Sequence, residues 1–216
     1  MPCEKKKTKT YKIAITGPPA AGKTTLLSLF KEYGIPVFSA DEEVRKLSRP
    51  CQKGYHLLVK KFGREILSPE EELDRRKILE KMLTSSSFKR DLEALLHPLV
   101  RKRLQEWFEK HEGESLLVAE IPLLFQAGWE RLFDLTIFIS CSERTLLERL
   151  QRRLKDRRLA EMLLETYLKS LPSGKRAFIL SGELLSEELK STVKNILQSL
   201  EKGEADDFPL RSPGTD

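Results

Sequence analysis

Cysteine is scarce in this chain. Cys3, Cys51 and Cys141 are scattered through 216 residues, odd in number and without a C-x-x-C pair. That pattern argues against a disulfide framework and against the common zinc modules, and it fits reduced thiols in a cytoplasmic protein. Long apolar runs are also missing. The longest, "LLVAEIPLLF", is interrupted by Glu120 and Pro122 and is too short to span a bilayer, so no membrane is expected. Basic residues open the chain, but no signal-peptide-like apolar segment follows them before the first expected strand. Aromatic residues make up 7% and do not interleave with the basic clusters, which disfavours a stacking platform for nucleic acid. The guanine-reading tetrapeptide N-K-x-D of GTPases does not occur.

What remains is a charged globular chain. Hydrophobic residues make up 39% and charged residues 33%, enough for a sizeable core beneath a highly charged surface. The length suits one α/β domain with an insertion. The net charge of +6 is unevenly placed. Residues 1–12 carry five lysines against Glu4, and residues 203–216 carry Arg211 against four acids. The body between them is basic, which favours anionic ligands: a nucleotide, a phosphorylated metabolite or nucleic acid. The lysine run at 5–7 reads as a solvated tail.

Hydrophobic periodicity alternates between strands and helices. "YKIAIT" (11–16) is a short buried strand, and "GKTTLLSLFKEYG" a helix stopped by Gly34. "IPVFSA" is a second strand, and "DEEVRKL" begins a helix with Asp41 at its positive end. Residues 53–112 read as mostly helical, with Pro98 expected to kink one helix or divide two. Strands follow at "SLLVAEI" (115–121), "DLTIFIS" (134–140) and "AFIL". Helices are expected at "SERTLLERLQRRL", capped by Ser142, from about 160 to 170, and at "SEELKSTVKNILQSLEK". The alternation implies an α/β fold, a mostly parallel five-stranded sheet flanked by helices. The last fourteen residues are expected to be a disordered tail.

Residues 17–24, "GPPAAGKT", fit G-x-x-x-x-G-K-[ST] between that first strand and first helix. Backbone N–H groups of residues 20–25 must converge on phosphate oxygens, so small residues are needed where the chain passes closest. This makes Gly17, Ala20, Ala21, Gly22, Lys23, Thr24 and Thr25 the expected ATP-binding set. Lys23 supplies a point charge to the outer phosphates and Thr24 a hydroxyl for Mg²⁺. Asp41 follows the second strand, at the sheet edge where parallel α/β folds bind ligands. There it either accepts a hydroxyl proton during phosphoryl transfer or simply caps its helix.

Further blocks accompany this loop: "SADEEVRKL" (39–47), "KFGREIL" (61–67), "LDRRKIL" (73–79), "LEALLHPLVRKRL" (92–104) and "AEIPLLFQAGWERLFD" (119–134). In this order and spacing the chain resembles the dephospho-coenzyme A kinase family over about residues 12–200, more weakly after 150. The resemblance implies a P-loop kinase fold that uses ATP and Mg²⁺ to phosphorylate the 3′-hydroxyl of dephospho-coenzyme A. It also implies three parts. A nucleotide core falls at 12–44, 114–150 and 178–202, a helical substrate region at 45–113, and a lid at 151–177, with tails at 1–11 and 203–216. Asp41 matches the proposed base, and Arg75 and His97 match residues of the acceptor side.

The chain departs from the family pattern in places. Ser39 stands for the first aspartate of D-x-D, Gln126 for a glutamate after P-L-L-F, and Pro18 and Pro19 for P-loop glycines. The lid is a few residues short, and a glutamine is missing near Ser170–Pro172. Glu120 ends an apolar strand as a Walker B carboxylate does, which makes it a candidate Mg²⁺ ligand or a solvent-facing strand end. "RLQRRLKDRR" (149–158) holds six basic residues against one acid. Arginines aimed at a triphosphate would neutralise charge in the transition state, and Arg149 is the first candidate, with Arg152 or Arg153 and Asp156 on its helical face. Two other readings stand beside this one. A different small alcohol, such as a nucleoside, could be the acceptor, or the P-loop could drive a nucleic-acid-binding switch. The sequence sets no oligomeric state.

Overall fold

The computed structural model of the chain describes residues 10–169, 177–202 and 210–211. The lysine run at 5–7, the Ser170–Pro172 departure and most of the C-terminal tail lie outside those residues. From the N-terminus the elements are β1 (Tyr11–Thr16), α1 (Lys23–Glu32), β2 (Val37–Ser39), α2 (Ala40–Leu47), α3 (Lys53–Phe62), α4 (Arg75–Thr84) and α5 (Ser86–Lys110). Then come β3 (Leu116–Glu120), β4 (Leu135–Ser140), α6 (Glu143–Leu154), α7 (Arg157–Lys169), β5 (Ala177–Ser181), α8 (Ser186–Lys202) and β6 (Leu210–Arg211).

The strands form one sheet in the order β2-β3-β1-β4-β5-β6. The first five are parallel, as the alternation of strands and helices requires. β6 is the departure. Leu210 and Arg211, expected in a disordered tail, pair antiparallel with Phe178 and Ala177 and cover the free edge of β5.

Alternation along the strands sorts side chains onto two faces. Ile13, Ile15, Val118, Ile137 and Ile139 join one core with Leu26 and Phe30 of α1, Leu146 and Leu150 of α6, Leu164 of α7 and Val193 of α8. Ala14, Phe38, Ala119 and Phe138 face the other way, toward Val100 and Leu104 of α5 and Trp129. A third core, with Leu58, Ile66, Phe88, Leu92 and Leu96, lies inside the helical insertion. α5 connects these last two. Its 25 residues span about 37 Å, so its first half serves the insertion and its second half the sheet.

α5 runs unbroken through Pro98, so the two-helix alternative falls. The proline removes the amide that would bond the Ala94 carbonyl, and packing on both sides holds the helix together. The irregular stretch expected to about residue 160 is also shorter than expected. α6 ends at Leu154 and α7 begins at Arg157, with Lys155 in the left-handed region at φ 54° between them. Asp156 starts the next helix rather than sharing a face with Arg149, and its Oδ1 accepts from the Leu159 amide at 3.0 Å.

Candidate active site

β1 occupies the centre of the sheet between β3 and β4, and the loop leaving it meets the carboxyl ends of both neighbours. Gly17 is required here because a Cβ would overlap the Ile139 carbonyl oxygen of β4. Gly22 is required for another reason: it precedes α1 at φ 105°, a left-handed geometry that L side chains rarely adopt. No side chain caps α1 and no acid sits in its first turn, which leaves the amides and the positive helix end facing the loop. Ala20 also lies at positive φ, 65°, so strain is stored in the loop itself.

Lys23 is 7% exposed, and its Nζ donates to the carbonyls of Gly17 at 3.0 Å and Pro18 at 2.7 Å. Burial pulls its pKa below the usual lysine range; Glu120 and Asp41 oppose that pull and Arg153 adds to it. An anion in the loop would supply the missing compensation. Glu120 is 2% exposed, so the solvent-facing alternative for it falls. Thr24 Oγ1 donates to its Oε1 at 3.2 Å and Ser39 Oγ to its Oε2 at 3.2 Å. Burial raises the Glu120 pKa, with Lys23 opposing.

The cluster follows from strand register. Ser39 of β2 and Ile15 of β1 both pair with Glu120 of β3, so the three strands end level with one another. Ser39 also decides which residue caps α2. Its Oγ accepts from the Glu42 amide at 3.4 Å and makes Ser39 the N-cap of α2. Asp41 is therefore not the cap, and its exposed carboxyl faces the cleft.

Two cavities meet at that carboxyl. One, of about 340 Å³, is lined by the loop from Gly17 to Thr24, Glu120, Pro122, Arg153 near the end of α6, and Leu163 and Tyr167 of α7. The other, of about 690 Å³, lies in the helical insertion among Arg45, Arg49, Arg75, Met82, Leu92 and His97. Asp41 and Leu123 line both. His97 stacks edge-on against Trp129 at 5.8 Å, and burial lowers its pKa against the opposing influence of Glu93, which favours the neutral ring.

A phosphate-gripping loop and a neighbouring cavity, joined through one carboxylate, describe a phosphotransferase without naming its acceptor. The family model described as dephospho-CoA kinase matches residues 11–169. The chain belongs to the dephospho-CoA kinase family. A dephospho-CoA kinase of Bdellovibrio bacteriovorus is 30% identical over 193 residues, covering 88% of this chain and 96% of that protein. One from Bacillus cereus is 34% identical over 146 residues, 67% of this chain and 73% of its own length. Among solved structures, TT1252 from Thermus thermophilus aligns with a TM-score of 0.70 at 24% identity, over 88% of this chain and 98% of that one. A dephospho-CoA kinase from Campylobacter jejuni aligns with a TM-score of 0.58 at 24% identity, over 91% and 100%. These structures agree on the fold.

Against the dephospho-CoA kinase pattern, the basic run at 149–158 needs the largest revision. Arg149, the first candidate for phosphate contact, is turned onto backbone. Its Nη2 donates to the Gly182 carbonyl at 3.0 Å and its Nη1 to Ala20 at 3.3 Å and Ala21 at 3.5 Å. Arg153, one helical turn further on, lines the phosphate cavity instead. The P-L-L-F block enters the site only through Pro122 and Leu123, while Leu124 and Phe125 are buried core. Gln126, which replaces the usual glutamate, is exposed. Ser39 turns its departure into a contact, since an aspartate there would set a second anion against Glu120. Sequence reasoning missed Arg45 and Arg49 of the larger cavity and Leu163 and Tyr167 of the smaller one. Arg45 lies in a helix read for Asp41 alone and Arg49 just past its end, and the apolar pair has ordinary core spacing.

Proposed function

We propose that the chain transfers the γ-phosphate of ATP to the 3′-hydroxyl of dephospho-coenzyme A, giving coenzyme A and ADP. The observation that carries the reading is Asp41, which lines both the phosphate cavity and the larger cavity of the insertion. Asp41 takes the hydroxyl proton as that oxygen attacks the γ-phosphorus, and the bond to the β,γ-bridging oxygen breaks with its electron pair leaving on ADP. Lys23, the loop amides from Ala20 to Thr25 and Arg153 hold and neutralise the phosphates. Arg75, with Arg45 and Arg49, offers positive charge to an anionic acceptor, and neutral His97 orients it. Residues 45–113 act as the acceptor region and 151–177 as the lid.

Thr24, Glu120 and Ser39 present hard oxygen donors beside the phosphate cavity, the chemistry that Mg²⁺ prefers when phosphates complete its shell. When bound, the ion neutralises charge on the transferring group. The enzyme of this reading works in the cytoplasm on a small-molecule acceptor; among the described residues no helix is long and apolar enough to cross a membrane.

ADP release with purified chain, ATP and Mg²⁺ tests the reading, with dephospho-coenzyme A, adenosine or no acceptor in parallel. Dephospho-coenzyme A should stimulate release and adenosine should not; the reverse would assign a nucleoside kinase. Asp41→Asn should lower acceptor-supported turnover by about 10²–10⁴-fold while the KM for ATP stays within a few fold. Turnover retained in that variant would remove the base.

A further inference from the structure

The lid contributes side chains of two kinds to the phosphate cavity. Arg153 is a cation, as a polyanion site requires. Leu163 is apolar and Tyr167 mostly so, and they are four residues apart and so on one face of α7. Tyr167 is 8% exposed, and Leu163 packs against the main core. Apolar side chains gain nothing from contact with phosphate oxygens, yet these two line the same cavity as Lys23, Thr24 and Asp41.

α7 is held where it is from two directions. Ala160 and Leu164 are buried in the same core as Ala21 and Leu26. At the N-terminal end of α7, Asp156 Oδ2 takes Arg76 Nη2 of α4 at 2.7 Å, which ties the lid to the acceptor region. The apolar pair is thus anchored over the loop by contacts that involve no phosphate.

We infer that Leu163 and Tyr167 are positioning residues that form a dry ceiling over the terminal phosphate and decide whether an alcohol or water receives it. The inference rests on the kinase reading above. In the competing reaction a water oxygen attacks the γ-phosphorus, the bond to the bridging oxygen breaks with its electrons on ADP, and the water proton passes to Asp41 or solvent, leaving inorganic phosphate. Asp41 serves water as readily as it serves an alcohol, so exclusion of water has to come from groups that cannot solvate it. The Tyr167 ring does this, not its hydroxyl.

The test measures ADP release by the full chain with ATP and Mg²⁺, with and without dephospho-coenzyme A, and follows inorganic phosphate in the same samples. Tyr167→Ala and Leu163→Ala should each raise the ratio of acceptor-free to acceptor-supported release about tenfold, as expected for a lid that normally excludes water. Tyr167→Phe should leave the ratio at the wild-type value. Circular dichroism melts establish that each variant is folded; should Tyr167→Ala fail to fold, Leu163→Thr at the half-buried position decides. Folded variants with an unchanged ratio would overturn the ceiling, as would a Tyr167→Phe ratio as high as that of Tyr167→Ala. Failure of the kinase reading is seen separately, as wild-type chain that forms no coenzyme A; the acceptor-free phosphate rate of each variant against wild type then still reads the ceiling.

Discussion

Arg149 separates two accounts of the basic run at 149–158, and its removal can be costed from the contacts. The side chain is half-buried and donates to three carbonyls, Gly182 at 3.0 Å and, through one nitrogen, Ala20 at 3.3 Å and Ala21 at 3.5 Å. A hydrogen bond from a charged donor contributes about 1.5–3 kcal/mol, and the low end applies to the Gly182 bond. The two longer bonds share Nη1 and together add about 1 kcal/mol. Solvent reaches part of the guanidinium, which reduces the total to about 2 kcal/mol. For a domain of this size that corresponds to a fall in Tm of about 4–8 °C for Arg149→Ala without nucleotide. Arg149→Lys should recover less than half of it, because one ammonium cannot match the planar fork across two loops.

The same argument gives Arg153→Ala the opposite profile. Its side chain is exposed and lines the cavity, so the nucleotide-free melt should stay within 1–2 °C, about the scatter of a surface change. Turnover with ATP should fall about 10²-fold, the scale of losing one preorganised charge. Thermal melts by circular dichroism, paired with steady-state kinetics, measure both. An unchanged melt for nucleotide-free Arg149→Ala would refute the brace and return Arg149 to the phosphates.

Three further outcomes follow from buried charge. Lys23→Met should abolish ATP use and also destabilise the nucleotide-free chain, since the thioether leaves buried Glu120 without its opposing charge and two loop carbonyls without their donor; unchanged stability in urea titration would contradict this. His97 has a lowered folded pKa, so between that value and 6.5 the unfolded chain binds more protons than the folded one. Its contribution is therefore intact above pH 6.5 and lost as pH falls, and the stability difference between wild type and His97→Gln should shrink across that window; a flat difference curve would refute it. Ser39→Asp should destabilise the metal-free chain by about 1–2 kcal/mol through a second carboxylate beside Glu120, with Mg²⁺ restoring part of the loss in a melt; indifference to Mg²⁺ would count against the donor set.

The phosphate loop was legible because its residues are contiguous and their spacing is the chemistry. Asp41 was legible in position, but the choice between cap and free carboxylate was not, and it fell to the Ser39 side chain to take the cap. Thr24 and Glu120 were legible as separate Mg²⁺ candidates, but their meeting with Ser39 was not, because it brings a helix start and a strand end onto one carboxylate from 96 and 81 residues away. Arg149 and Arg153 are one helical turn apart, so periodicity places both on one face, and only the packing of α6 tells which reaches the cavity. β6 was invisible for another reason: two residues in a polar stretch carry no period, and their pairing depends on an edge supplied by β5. Pro98 shows the converse, since a strong local signal was outweighed by two cores gripping one helix.

The level ends of β1, β2 and β3 act as a ruler. Neighbouring strands lie about 4.8 Å apart whatever their side chains, so the spacing between the roots of the phosphate loop and of Asp41 is graduated by the ladder. A lineage seeking a new alcohol would leave those graduations alone and remodel the helical annex, which has its own core and can be re-cut without disturbing the scale.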